Sequence, residues 1–292
     1  MNRRKQAGGV LDLAGRYVYR GPSGWGLTFY HPRNTLPVSV TGRGCALNCA
    51  HCGRRYLTHM APARDLDRLP DSGPASFLIS GGCDLEGRVP LLSNLDTVRS
   101  LSRRGRVIVH PGLAGEREAE ALAPYVEAVS FDLVVDTPTI RDVYGLPATG
   151  DDFIAAFLAL RRRIRTVPHL CLGLLGGEIR GEPEALRILS ELEVEEAVFL
   201  VFNPTPGSRY GDRRPPDLSE VESLLLKARA LLPGARLGLG CLRPGGRYRS
   251  ALDEAALRAR LDFIVNPAPS ARRAAESRRM EIRIRQECCI LD

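Results

Sequence analysis

Eight short apolar runs rich in β-branched residues punctuate this chain, with helical patterns in most of the gaps. The runs are LPVSV (36–40), SFLIS (76–80), RVIVH (106–110), VSFDL (129–133), HLCLGL (169–174), VFLVF (198–202), ARLGLG (235–240) and DFIV (262–265). Between them, segments such as NLDTVRSLSRRG, EREAEALAPYV, DDFIAAFLALRRRI, PEALRILSELE, LSEVESLLLKARALL and SALDEAALRARL repeat apolar residues at helical spacing. Strands that alternate with helices pair in parallel through right-handed crossovers. Eight such units predict an α/β fold, a (β/α)8 TIM-type barrel, complete or partly open, because closing a sheet removes its exposed edges. The alternative is an open doubly wound sheet, but no GxGxxG turn follows the first run. The barrel is expected over 36–266, after a short N-terminal cap (1–35) and before an Arg-rich C-terminal tail (267–292).

Hydrophobic residues make up 44% and charged residues 26% of the 292, enough for a sizeable core and unlike a disordered chain. No run reaches the roughly 18 apolar residues of a membrane span. The start, MNRRKQAGGVLDLAGRY, has no uninterrupted apolar signal core, so a cytoplasmic location is expected. The net charge of +7 is spread along the chain and favours an acidic partner only weakly. The only lysines are Lys5 and Lys227, and the latter lies in a helical pattern, which sets Schiff-base chemistry aside.

Function is best sought among the eight cysteines, at 45, 49, 52, 83, 171, 241, 288 and 289. Without secretion signals, thiols are metal ligands or redox groups before they are disulfide staples. The run SVTGRGCALNCAHCGRRY directly follows the first predicted strand, and its CxxxCxxC spacing lets Cys45, Cys49 and Cys52 converge from one loop. Three thiolates on a four-iron cluster leave one iron open to a ligand, which a fully ligated structural site cannot offer. The other reading is a zinc site completed by His51 or His59.

This loop resembles the signature of the radical S-adenosylmethionine superfamily, which stands at the end of the first barrel strand. The resemblance implies a [4Fe-4S] cluster whose open iron chelates S-adenosylmethionine. It also implies cofactor-binding roles for Ser80, Gly81 and Gly82 (a glycine-rich turn after the second run), His51 beside the adenine, and Asp132 toward the ribose. Glu178 in GLLGGE and Asn203 in NPTPGS complete that set, the latter in a turn similar to that of biotin-synthase-like members. His110 and His169 read as structural histidines.

Cys83, Cys241, Cys288 and Cys289 are the first-choice ligands of a second, auxiliary iron-sulfur cluster, with the terminal pair expected over the barrel mouth and Cys171 as second choice. SGGC, GCLRPGGRYR and the terminal CC are most similar to a component of the two-component lipoyl synthases. That resemblance implies sulfur insertion into an octanoyl chain on a carrier protein or domain, a homologous partner chain, and a ferredoxin or flavodoxin as electron donor. Arg243 and Arg247 are expected to clamp the substrate or carrier, because guanidinium forks suit oxyanions. Two alternatives stand beside this reading. One is a radical maturase or methylase acting on a small molecule. The other is a zinc-stabilised RNA-binding protein that grips phosphate through ARRAAESRRMEIRIRQ, although that stretch lacks interleaved aromatics for stacking.

Overall fold

The computed structural model describes residues 9–11, 17–19, 26–68 and 73–292. Its strands are β1 (Gly9–Leu11), β2 (Tyr17–Tyr19), β3 (Gly26–Tyr30), β4 (Thr35–Ser39), β5 (Ala61–Pro62), β6 (Ser76–Ser80), β7 (Arg106–Val109), β8 (Ala128–Asp132), β9 (Thr166–Leu172), β10 (Glu196–Val201), β11 (Arg236–Leu239), β12 (Phe263–Val265) and β13 (Glu281–Arg285). The α-helices are α1 (Leu95–Ser102), α2 (Glu116–Leu122), α3 (Thr137–Tyr144), α4 (Gly150–Arg161), α5 (Glu182–Glu191), α6 (Leu218–Leu231), α7 (Gly246–Arg258) and α8 (Pro269–Ser277).

All eight predicted runs are strands, and they lie side by side in chain order. The sheet reads β13-β3-β12-β11-β10-β9-β8-β7-β6-β4-β5, and every pairing in it is parallel. It is a curled α/β sheet of eleven strands whose outer members, β13 and β5, do not pair with each other. The expected barrel, complete or partly open, is thus an open sheet with three strands beyond the eight predicted. The boundaries at 36 and 266 also cut through this sheet. The expected cap supplies β3, which pairs with β12, and the expected tail supplies β13, which pairs with β3. β1 and β2 form a separate antiparallel pair.

Side chains alternate across each strand, and the two faces have separate cores. Phe77, Ile79, Val107, Val109, Val129 and Phe131 pack outward against helix residues such as Val98, Ile140, Leu160 and Leu225. Ile108, Ala128, Val167, Val198 and Phe263 point inward and pack with Cys289, Ile290 and Leu291. Gly238 and Gly240 make this inner packing possible. A Cβ at Gly238 would stand 2.3 Å from the Phe263 ring, and one at Gly240 would stand 2.4 Å from Leu200.

The final residues plug the inner space from the end at which the strands begin. Cys288 N donates to Thr35 Oγ1 (2.8 Å), at the start of β4. Arg165 donates to Ile290 O (2.5 Å), Arg236 to Cys289 O (3.1 Å), and Arg106 to Leu291 O. Glu196 holds both Arg165 and Arg236 in place. The tail thus does not cover the mouth, as the sequence led us to expect. Arginines at the strand starts supply donors that carbonyls at the opposite end of the chain accept, which draws the tail beneath the sheet.

Candidate functional site

The cysteine loop leaves β4 and is pinned to three neighbours at the end where the strands finish. Ala46 N donates to Cys83 O (2.8 Å), Ala50 N to Val143 O at the end of α3 (2.7 Å), and Tyr210 N, beyond β10, to Ala50 O (2.8 Å). Thr41, which sequence reasoning missed, ties the loop to the glycine turn. Its Oγ1 accepts from Gly82 N (2.7 Å) and donates to Gly44 O (2.8 Å). A Cβ at Gly82 would lie 2.0 Å from Gly44 O and 2.5 Å from Cys45 Cβ, so this glycine seats the loop itself. At Gly81 the nearest atom, Thr41 Oγ1, would be 3.0 Å away.

Within the loop, the Cys49 and Cys52 thiols are hydrogen-bonded to each other. This bond, helped by the Arg54 backbone and charge, holds Cys52 near 7 and pushes Cys49 upward. Cys45 and Cys83 are the next thiols whose charge acts on Cys49. Cys83 is pushed up to about 12 by burial first and by Cys45 next. Cys83 therefore sits with the first thiol group, away from the tail pair. No three His, Cys, Asp or Glu side chains among the described residues gather as a single metal ion requires, and His59 is exposed.

Asp132, at the end of β8, faces this loop from the inner wall. Its charge acts on His51, Tyr56, Cys83, Tyr144 and Cys171 alike. His110 lies 3.5 Å from it through Nε2 and shares a 2.9 Å hydrogen bond with Ser130 through Nδ1. Ser80 Oγ donates to His110 O (2.9 Å), linking the glycine turn to the same wall. His110, read from sequence as merely structural, is part of this inward polar row. His51 is flanked by Tyr56 (ring centroids 6.0 Å) and Tyr144 (5.7 Å). Burial pushes it down to about 4, so it is neutral, and its Nδ1 is buried without a partner. An orphaned ring nitrogen beside the thiols fits a cofactor with hydrogen-bonding heteroatoms.

Asn203 follows β10 half-buried, and its carbonyl accepts from Thr205 Oγ1 (3.3 Å), which in turn lies 3.3 Å from Tyr56 OH. Glu178 is exposed. The organised carboxylate of that loop is Glu182, missed in the sequence, which accepts from Gly173 N and Arg180 N (both 2.7 Å) and is raised by burial.

The remaining first-choice thiols stand away from this loop. Cys241 is exposed past the end of β11, and its thiol is raised, by burial first and by Cys288 next. Cys288 and Cys289 are hydrogen-bonded to each other, and Cys241 also acts on Cys289. The four first-choice auxiliary ligands are thus divided: Cys83 stands beside the cysteine loop, Cys241 follows the end of β11, and Cys288 and Cys289 lie where the strands begin.

No family model matches the chain, and no curated protein matches it significantly. Solved structures do. Methylornithine synthase superposes with a TM-score of 0.58 at 13% identity, over 90% of this chain and 84% of that one. Streptococcus suis SuiB bound to S-adenosylmethionine gives 0.51 at 16% identity, over 81% of this chain and 54% of that one. SuiB bound to the precursor peptide SuiA gives 0.53 at 17%, over 77% and 51%. The chain spans about half the length of SuiB. It shares its fold with these proteins.

On that fold the two predicted substrate arginines part ways. Arg247 is exposed in the first turn of α7. Arg243 is fully buried, 3.2 Å from the equally buried Asp253, and donates to Gly240 O (2.5 Å) and Asn266 O (3.2 Å). It cannot reach a substrate, because its fork is spent on joining α7 to the ends of β11 and β12. We expect Arg243→Met or Asp253→Asn to cost about 3–5 kcal/mol in denaturant unfolding, since each strands a buried charge. The double change Arg243→Met, Asp253→Leu should recover most of that loss. The Arg-rich stretch is likewise no free arm. It forms α8 and β13, with Arg272 paired to Glu276, Arg283 to Glu281 and Arg285 to Asp292.

Proposed function

We propose that this chain is a radical S-adenosylmethionine enzyme that inserts sulfur at an unactivated carbon, acting on a carrier-bound octanoyl chain as one component of a lipoyl synthase. The observation that carries the reading is the presence of thiols at both ends of one curled sheet: Cys45, Cys49 and Cys52 where the strands finish, and Cys288 and Cys289 where they begin, with Cys241 after β11 electrostatically coupled to that tail pair. The first group would hold a [4Fe-4S] cluster, and the second an auxiliary iron-sulfur cluster. When bound, the first cluster and S-adenosylmethionine supply a 5′-deoxyadenosyl radical, and the auxiliary cluster supplies sulfide.

The remaining work belongs to the chain. The turn at Ser80, Gly81 and Gly82 offers close backbone, His51 its free Nδ1, Asp132 an acceptor, and Glu178 and Asn203 polar groups on the two neighbouring loops. Leu78 and Leu200 are inward apolar residues left partly open above the packed floor, where an acyl chain can lie. Hydrogen-atom abstraction needs no general base, so the part left to the Ser130, His110 and Asp132 row is to orient the bound molecules. A structural neighbour solved with a precursor peptide supports a protein-borne substrate. That polar row favours one competitor, a maturase or methylase with a small polar substrate.

Anaerobic reconstitution should give about eight irons per chain, four for each cluster. Reductant, S-adenosylmethionine and an octanoylated carrier peptide, with a homologous partner chain present, should then yield 5′-deoxyadenosine and a thiolated peptide. Deoxyadenosine with no sulfur-bearing product favours the competitor, and zinc without iron overturns both.

A further inference from the structure

We propose that His169 is a substrate-binding residue whose Nε2 accepts a hydrogen bond from the N–H of the amide that joins the acyl chain to its carrier. The inference rests on the proposed function and names the substrate group that the inner wall recognises.

His169, read from sequence as structural, stands in β9 two residues beyond Val167. Val167 packs into the inner floor, so the His169 ring also faces the inner space. Its Nδ1 lies 3.0 Å from Val167 O. A carbonyl can only accept, so Nδ1 carries the proton, and in the neutral ring Nε2 is left as a bare acceptor. Burial favours that neutral form. Among the described residues none donates to Nε2, and unlike Nδ1 of His51 this nitrogen keeps accessible surface, toward the space that the sheet encloses. An acceptor fixed in one orientation there is satisfied by a ligand that brings a donor, since leaving it unpaired costs free energy.

The neighbours specify the donor. Strand pairing sets Asp132 beside His169 on one side and Val198 on the other. Asp132 is a second acceptor, and the arginines at the strand starts are spent on Glu196 and the tail carbonyls. Two acceptors side by side receive an N–H and repel a carboxylate, which selects an acyl amide over a free fatty acid. Leu200, two residues beyond Val198, is one of the inward apolar side chains left partly open, so an amide held at His169 starts its acyl chain over apolar surface. Asp132 also serves as an acceptor in the proposed cofactor site, so the same contact holds the substrate next to the cofactor, as a reacting chain requires.

The test uses the reconstituted full chain with S-adenosylmethionine and no reductant, so that nothing turns over. Calorimetry compares an octanoylated carrier peptide with its ester analogue, in which oxygen replaces the amide N–H. Wild type should bind the amide about tenfold more tightly, the worth of one hydrogen bond. His169→Leu should bind the amide about tenfold more weakly than wild type and lose the distinction, whereas His169→Gln, whose Oε1 can accept, should keep most of it. Iron per chain and S-adenosylmethionine affinity should match wild type in both variants. With reductant added, His169→Leu should raise KM for the amide about tenfold and leave kcat within about twofold, as expected when only ground-state binding is lost. Equal affinity of wild type for amide and ester would overturn the proposal without any variant having to fold, and would leave water as the partner of Nε2. A His169→Leu chain that still prefers the amide, or one that loses S-adenosylmethionine affinity instead, would overturn it as well. If wild type binds the peptides but is indifferent to the N–H, only this inference fails; if it binds neither peptide, the carrier-bound substrate fails and the inference with it.

Discussion

Gly82→Ala should lower cluster-dependent S-adenosylmethionine cleavage about 100-fold, with iron bound at Cys45, Cys49 and Cys52 falling in parallel. The added methyl has nowhere to go. It would stand 2.0 Å from a backbone carbonyl and 2.5 Å from the Cβ of the first cysteine, both on the loop that carries the thiols. The neighbours cannot yield by rotating a side chain, so the loop must move, breaking the Gly82 N to Thr41 Oγ1 bond. A displacement on the order of 1 Å at a reacting centre costs about 100-fold in rate. Gly81→Ala is the control, because its closest contact is the hydroxyl of Thr41 at 3.0 Å and a small shift relieves it. We expect that variant to keep its iron and to lose less than about tenfold. Should Gly82→Ala load iron and cleave normally, the turn would be a plain strand ending and the seat described here would be wrong. Global unfolding is separable by melting, since overpacking one methyl costs about 1–3 kcal/mol and leaves a folded chain.

The sequence made the middle of the sheet legible and hid its edges, for physical reasons. Runs such as SFLIS and VSFDL are buried on both faces between helices and plug, so their composition alone marks them as strands. EIRIR, which becomes β13, lies at the sheet edge and carries charge at alternate positions, so it was absorbed into a basic tail although its period of two was visible. GLTFY, which becomes β3, follows the glycine- and aromatic-rich GPSGW and so does not stand apart from it. The CxxxCxxC loop was readable because its ligands are local. Arg243 was not, because its partner Asp253 lies on the next helix and only packing brings them together. The path of the tail was invisible for the same reason, since Arg106 and Arg165 meet Leu291 and Ile290 across most of the chain.

That path decides the second large effect. The double change Cys288→Ser, Cys289→Ser should remove about half of the iron, from about eight to about four per chain, and abolish the thiolated product while 5′-deoxyadenosine still forms. The tail should stay in place, because it is anchored by backbone atoms: Cys288 N to Thr35 Oγ1, and the carbonyls of Cys289, Ile290 and Leu291 to Arg236, Arg165 and Arg106. Two hydroxyls left without full partners beside the apolar floor cost about 1–3 kcal/mol each, visible as a lower melting temperature of a folded protein. Cys241→Ser should reproduce the product loss, since its thiol is electrostatically coupled to Cys288 and Cys289. Cys83→Ser should behave differently, because Cys83 stands among Cys45, Cys49 and Cys52. Any effect it has should appear in deoxyadenosine formation and spare the second half of the iron. A full iron complement in the tail double variant, or loss of the second four irons on changing Cys83 alone, would mean that the lower thiols only pack the floor of the sheet and that sulfur comes from elsewhere.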